Sequence, residues 1–407
     1  MDIYKVNKTK ISYIYLFICM FLQCFILKVY GVIDLQVLII AFGLLLYCRN
    51  IRPIYSVNYS VSTVVLLAFL GYSFVVLLIS DSPASFESFR LFRALVTSIL
   101  LYFLFEVGRF DFYKVVNILI AIIAIHAIII VLELLFPSLK IIMASLGDFN
   151  KLTAPTRASG LLSSYDAAGA FLIIGIILSN AMYRLKSRAI YMYLILFFWI
   201  SGFATGRTFM LIGTIFTVVV IWQYFVKTGL TIRKIVLGAV VSYFGYLVLT
   251  YALPLLMSTF LFTFYGEGLA SNAAATGHDG YYVGSLSTLS SMTYVSSNLV
   301  GVIFGTGDRL VTSDIGYHKV IHTFGVLGLL FYIAYICSTY FYMKNKITSF
   351  EKRLIVLPIL LLFIIYNVKM QVFLSRGFHE FYLIIILSLV NWRKNIDQGR
   401  LGTKFRE

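Results

Sequence analysis

Two arginines, Arg157 in PTRASG and Arg207 in ATGRT, stand where the charge pattern of this chain disfavours cations. A guanidinium stays charged in a low-dielectric site and binds a phosphate or carboxylate through paired hydrogen bonds. Each arginine also adjoins an expected helix amino terminus, near Gly160 and Thr208, where peptide dipoles favour an anion. The chemistry these features share is recognition of an anionic group, and a lipid-linked phosphate or diphosphate suits a membrane boundary. Arg207 follows Gly206 between two apolar segments with almost no loop, which pins it near that boundary. Ser201, Gly202 and Gly206 are small enough to let helices approach closely there.

A second constellation lies in SDIGYHKVIHTFGVLGLL, residues 313–330. On a helix Asp314, His318 and His322 recur every four residues and form a stripe about 80° wide. Asp314 or His318 could there take a proton from a hydroxyl. Asp314 could instead cap the helix, with the histidines facing headgroups, and the same spacing suits a metal. Other ionisable residues inside apolar segments are Glu106, His126, Glu133 and Asp166, and such groups are costly to bury in a bilayer. Asp166, nine residues after Arg157, reads as a partner for an arginine rather than as a catalytic group. His126 and Glu133 lie seven apart on one helix face, as an interhelical polar contact would require. Asp166, His322 and Arg376 are secondary candidates; Glu267, His278 and Asp279 have no pattern to support them.

The elements that must position these residues are membrane helices. The chain has 407 residues, is 60% hydrophobic and only 12% charged, and has a mean hydropathy of +0.93. Soluble chains carry about a quarter charged residues. Apolar runs of about 20 residues, enough to span a bilayer, recur throughout. Spans are expected at 11–28, 33–48, 60–79, 91–107, 115–136, 161–183, 189–205, 208–226, 235–257, 320–343, 354–368 and 378–392. Four of these are short, so eleven spans is the alternative to twelve. The fold class is therefore all-α, a single polytopic domain over 1–407.

Orientation follows from Lys and Arg in the short loops. Roughly two thirds of the 33 cations fall on the side that holds both termini, which is read as cytoplasmic. Lys28, Arg90, Arg93, Lys140, Lys151, Arg157, Arg207, Arg309, Lys319, Lys369 and Arg376 remain for the outer side. The net charge of +16 is thus mostly a topology signal facing anionic lipid, and nucleic acid is set aside as a partner. Cys19, Cys24, Cys48 and Cys337 fall within or beside spans and outline neither a disulfide framework nor a metal site. Two outer connections stand out: 137–160, mildly amphipathic, and 258–319, long, polar and read as a cap over a cavity in the bundle.

With these residues in view, the chain resembles the O-antigen polymerase (Wzy) and O-antigen ligase superfamily of bacterial inner-membrane glycosyltransferases. The match rests on Arg157-x-x-Gly160 before a span and on Gly206–Arg207 at an outer hairpin. It also rests on a long loop ending in GTGDRLVTSDIGY that enters a helix bearing Gly325-Val-Leu-Gly328. It covers roughly 150–335 in motifs and the whole chain in topology. Ligases of the family tend to carry a histidine about eleven residues before the Gly-x-x-Gly element; here that position is Asp314, which favours polymerase over ligase.

The resemblance implies a GT-C-like fold in the bacterial inner membrane and a metal-independent, inverting glycosyl transfer without cofactor. The donor would be a growing glycan on undecaprenyl diphosphate, with Arg157 and Arg207 on the diphosphate and Arg309 on a second one. Asp314 or His318 would be the base, and a chain-length regulator protein and membrane lipids would be partners. The rival from another class is a lipid-linked oligosaccharide flippase. That function calls for charge through the depth of a cavity and two related halves, whereas here the unusual residues gather at one face.

Overall fold

The computed structural model describes residues 13–25, 28–29, 33–34, 61–79, 85–107, 110–146, 157–162, 164–228, 243, 299–307, 316–344, 352–367 and 377–397. Within them the protein is helical, apart from a two-residue antiparallel pair, β1 (Lys28–Val29) with β2 (Ile33–Asp34). The helices are α1 (Tyr13–Cys24), α2 (Val61–Ile79), α3 (Ser85–Val107), α4 (Phe112–Leu135), α5 (Pro137–Leu146), α6 (Tyr165–Lys186), α7 (Ile190–Gly202) and α8 (Arg207–Thr228). They continue with α9 (Leu299–Phe304), α10 (Gly316–Lys344), α11 (Leu357–Asn367) and α12 (Phe378–Asp397), with one π-helical turn, Lys352–Val356, leading into α11.

Four of these helices are long and apolar enough to cross a membrane: α2, α4, α6 and the stretch Lys319–Phe341 of α10. Even the 19 residues of α2 rise about 28 Å, close to the thickness of a hydrocarbon core. Side-chain exposure agrees with a lipid surround. Val61, Val64, Leu67, Phe74, Val75, Leu78 and Ile79 of α2 face outward, as do Leu211, Ile215, Val218, Val219 and Trp222 of α8. Water would not tolerate such stripes, but a bilayer requires them. The protein is a helical membrane protein.

Helix α6 is the axis of the bundle. In its apolar window 78% of residues are buried, against 33% for α2, and it packs on α4, α7, α8 and α11. Its composition explains this: alanine, glycine and isoleucine on all sides leave no polar face to turn toward solvent. At Gly175 a Cβ would stand 2.8 Å from both Ile123 and Phe198, so the missing side chain lets α4 and α7 close on α6 together. Ser164 caps the amino terminus by accepting from Ala167 N–H at 3.2 Å, and Ser187 ends the helix in a left-handed conformation.

The elements differ from the sequence reading in several places. The first helix stops at Cys24 and the chain turns back through β1 and β2 instead of running on to 28. The connection 137–160 is not all loop, because α5 starts with Pro137, which suits a first helical position. The helix expected over 320–343, described from Gly316 to Lys344, is broken at Gly325 (φ 68°, ψ −171°). Span 235–257 and nearly all of the cap 258–319 lie outside the described residues, save Tyr243, 299–307 and 316–319.

Candidate functional site

The Arg157 segment is held from four directions. Three consecutive backbone N–H groups point at α4: Ser159 and Gly160 donate to Glu133 Oε2 at 3.1 and 3.0 Å, and Leu161 donates to His126 Nδ1 at 3.2 Å. Both α4 side chains are buried, so these bonds satisfy groups that neither water nor lipid could satisfy. An imidazole nitrogen that accepts carries no proton, so His126 holds its proton on Nε2 here. Gly160 has φ 55°, and a Cβ there would sit 2.7 Å from His126 Nδ1; only glycine gives both the turn and the close approach.

From α5, buried Lys140 donates Nζ to the Arg157 carbonyl at 2.7 Å. Burial draws the Lys140 ammonium below its ordinary pKa, and the Glu133 carboxylate pulls the other way. From the α7–α8 hairpin, the Ala204 carbonyl accepts Ala158 N–H at 2.9 Å. The Arg157 guanidinium itself is half-buried and lies 5.9 Å from the Tyr165 ring centre, within cation–π range.

The hairpin that accepts Ala158 leads directly to Arg207. Three successive i→i+3 bonds, Phe203 to Ile200, Ala204 to Ser201 and Thr205 to Gly202, wind it tightly. The Gly206 carbonyl then takes Met210 N–H and opens α8, which makes Arg207 its first residue. Asp166, in the first turn of α6, accepts from Thr208 Oγ1 at 3.0 Å, so one carboxylate spans the amino termini of α6 and α8. Negative charge is favoured at both ends. Asp166 is therefore tied at least to a threonine, where sequence reasoning gave it an arginine. The motifs RASG and ATGR thus meet at one end of the bundle, with two helix amino termini between them.

The Gly325 region is a second backbone junction. Breaking α10 leaves the carbonyls of residues 322–324 without their usual helical donors. Thr306 N–H bonds to His322 O at 2.9 Å, Gly307 N–H to Thr323 O at 3.1 Å, and Tyr72 Oη–H to Phe324 O at 2.8 Å. The Tyr72 hydroxyl also lies 3.1 Å from Phe304 O. Half-buried His322 has its Nδ1 3.3 Å from Thr306 Oγ1, a contact that belongs to this junction. His318 lies one turn before His322 on α10. Asp314, Arg309 and Arg376 lie outside the described residues, as do Glu267, His278 and Asp279.

Sequence reasoning missed a third polar group. His379 and Glu380 are fully buried at the start of α12, inside what reads as a span. Glu380 Oε2 takes Gly377 N–H at 2.8 Å, and its Oε1 lies 3.9 Å from Arg93 Nε of α3. His379 Nε2 meets Tyr335 Oη at 2.5 Å and Ser98 Oγ at 3.4 Å. The aromatic rings of Phe25 and Phe171 separate this group from His126. Two adjacent ionisable residues inside an apolar span were the available signal. Among the described residues, no group of three or more His, Cys, Asp or Glu is placed to hold a metal ion.

Comparison with protein-family models, with curated proteins and with solved structures finds no match to this chain.

Proposed function

We propose that this protein is a surface-polysaccharide polymerase of the O-antigen type. It transfers a growing glycan from undecaprenyl diphosphate to a lipid-linked repeat unit at the outer face of the bacterial inner membrane. The finer architecture belongs to the same proposal: twelve spans, both termini cytoplasmic, and a GT-C-like bundle capped by 258–319. The observation that carries this reading is the Ala158 to Ala204 hydrogen bond, which draws the Arg157 segment and the Arg207 hairpin together beside the α6 and α8 amino termini.

In this reading a hydroxyl of the incoming repeat unit attacks the anomeric carbon of the donor, and the bond from that carbon to the diphosphate oxygen breaks. Arg157 and Arg207 stabilise the departing diphosphate as charge develops on it, and Arg309 holds the diphosphate of the acceptor. Asp314 or His318 takes the hydroxyl proton. The reaction calls on no metal or cofactor. A chain-length regulator is the expected protein partner.

Replacing Arg157 or Arg207 by alanine is expected to leave membrane insertion intact and abolish long glycan chains. Normal chain-length ladders from both variants would refute the diphosphate clamp. Purified protein given lipid-linked repeat units in detergent, without ATP or added metal, should form polymer. Movement of the lipid without bond formation would favour a flippase, and transfer only to a different lipid acceptor would favour a ligase.

A further inference from the structure

We infer that Glu133, with His126 and Lys140, is a positioning residue that sets the Arg157 turn for an anionic ligand, and that it acts through an oxygen acceptor rather than through its charge or its proton. The inference rests on the proposed role of Arg157. Glu133 is buried on α4, and both of its bonds to the turn, from Ser159 and Gly160, end on the same atom, Oε2. One carbonyl-type oxygen with two lone pairs can take both. Leu161 N–H completes the row on His126 Nδ1, and Lys140 fixes the opposite side by donating to the Arg157 carbonyl. The two peptide groups that follow Arg157 are therefore anchored: Lys140 and Ala204 hold the first, and Glu133 holds the second through Ser159 N–H. The Arg157 side chain rests against Tyr165.

This arrangement has a consequence for catalysis that a merely structural contact lacks. A guanidinium must match a diphosphate within fractions of an ångström to stabilise a developing charge, and a misplacement of about 1 Å can cost about a hundredfold in rate. The three N–H groups could themselves bind an anion, as rows of backbone amides often do. Glu133 fills that position from within, so the external anion is left to the arginines.

The test compares Glu133→Gln with Glu133→Ala in the full-length protein in detergent, reading two quantities. The first is hydrogen–deuterium exchange of the amides of Ser159, Gly160 and Leu161; the second is polymer formation from lipid-linked repeat units. Glutamine keeps an oxygen acceptor at the same reach, so both readouts should stay within about threefold of the wild type. Alanine should raise exchange and lower the rate by about tenfold or more. Lys140→Met should lower the rate by a smaller factor while leaving the exchange of Ser159 and Gly160 nearly unchanged. If Glu133→Gln is as damaged in rate as Glu133→Ala, the charge or proton is what matters and the inference is overturned. Unchanged exchange in Glu133→Ala overturns it as well. If the wild type makes no polymer while exchange behaves as expected, the glycan-transfer reading fails and the positioning of the Arg157 turn stands.

Discussion

The Arg157 turn and the Gly325 junction solve mirror-image problems. At the turn three consecutive backbone donors need acceptors, and they find them on side chains, Glu133 and His126. At the junction three consecutive backbone acceptors need donors; two find backbone N–H groups and one finds the Tyr72 hydroxyl. The first solution buries ionisable groups, which are expensive in a bilayer. The second presses backbone on backbone, which demands glycine on both sides: a Cβ on Gly325 would stand 2.2 Å from Ile303 O, and one on Gly305 2.3 Å from Thr323 O. A costly arrangement of side chains persists where something beyond packing depends on it, while a junction made of glycines needs only to hold. The turn, not the junction, is where Arg157, the arginine proposed to bind the diphosphate, sits.

If that contrast is right, damage to the junction should appear as lost stability. Gly325→Ala carries the largest expected effect. The backbone there, at φ 68° and ψ −171°, is a region essentially confined to glycine, and the added carbon meets main chain that cannot move aside. We expect a loss of about 3 kcal/mol or more, seen as a drop in folded yield and in Tm of the detergent-purified protein. Wild-type stability in this variant would mean that α9 and α10 do not close on each other in the way described.

Gly160→Ala should cost less, about 2 kcal/mol. Its φ is also positive, but the atoms nearest the added carbon belong to the side chains of His126 and Ile130, which can swing away. The cost should therefore divide differently: a moderate fall in Tm, and a marked fall in the proposed glycan transfer as Leu161 loses His126. A variant as unstable as Gly325→Ala would erase the distinction between the two regions.

The unequal legibility of these regions has a physical basis. The helical character and the placement of Arg207 at a helix start come from apolar run length and from what separates the runs, both local quantities. Arg157, expected at a helix end, instead lies in a turn ahead of α6, which starts only at Tyr165. That His126 and Glu133 share a face follows from their spacing, since seven residues return a helix to the same side. That they meet the backbone of a turn rather than another helix does not. The break at Gly325 was not visible, since Gly-Val-Leu-Gly is compatible with an uninterrupted helix. At the break the carbonyls of His322 and Thr323 bond to the N–H groups of Thr306 and Gly307, a contact that leaves no mark on the local pattern. Of the stripe Asp314, His318 and His322, the last two stand one turn apart on α10, and Asp314 lies outside the described residues. Arg93 and Glu380 escaped for the same reason as Gly325: their pairing across two distant helices leaves no mark on either local pattern.

The smallest expected effect is at Tyr72, and it tests whether the junction is truly closed by backbone. Tyr72→Phe removes one hydroxyl and little else, because the ring would keep its contact with Phe331, 5.3 Å between centres. The Phe324 carbonyl would lose its donor, while His322 and Thr323 kept theirs from Thr306 and Gly307. One partly buried acceptor left without a partner costs about 1 kcal/mol. Thermal unfolding should therefore show a small decrease, with hydrogen exchange at Ser159, Gly160 and Leu161 unchanged, since their bonds run to Glu133 and His126. A loss comparable to that of Gly325→Ala would move the weight of the junction from its two backbone bonds to this side chain, and the contrast with the Glu133 turn would then be one of degree.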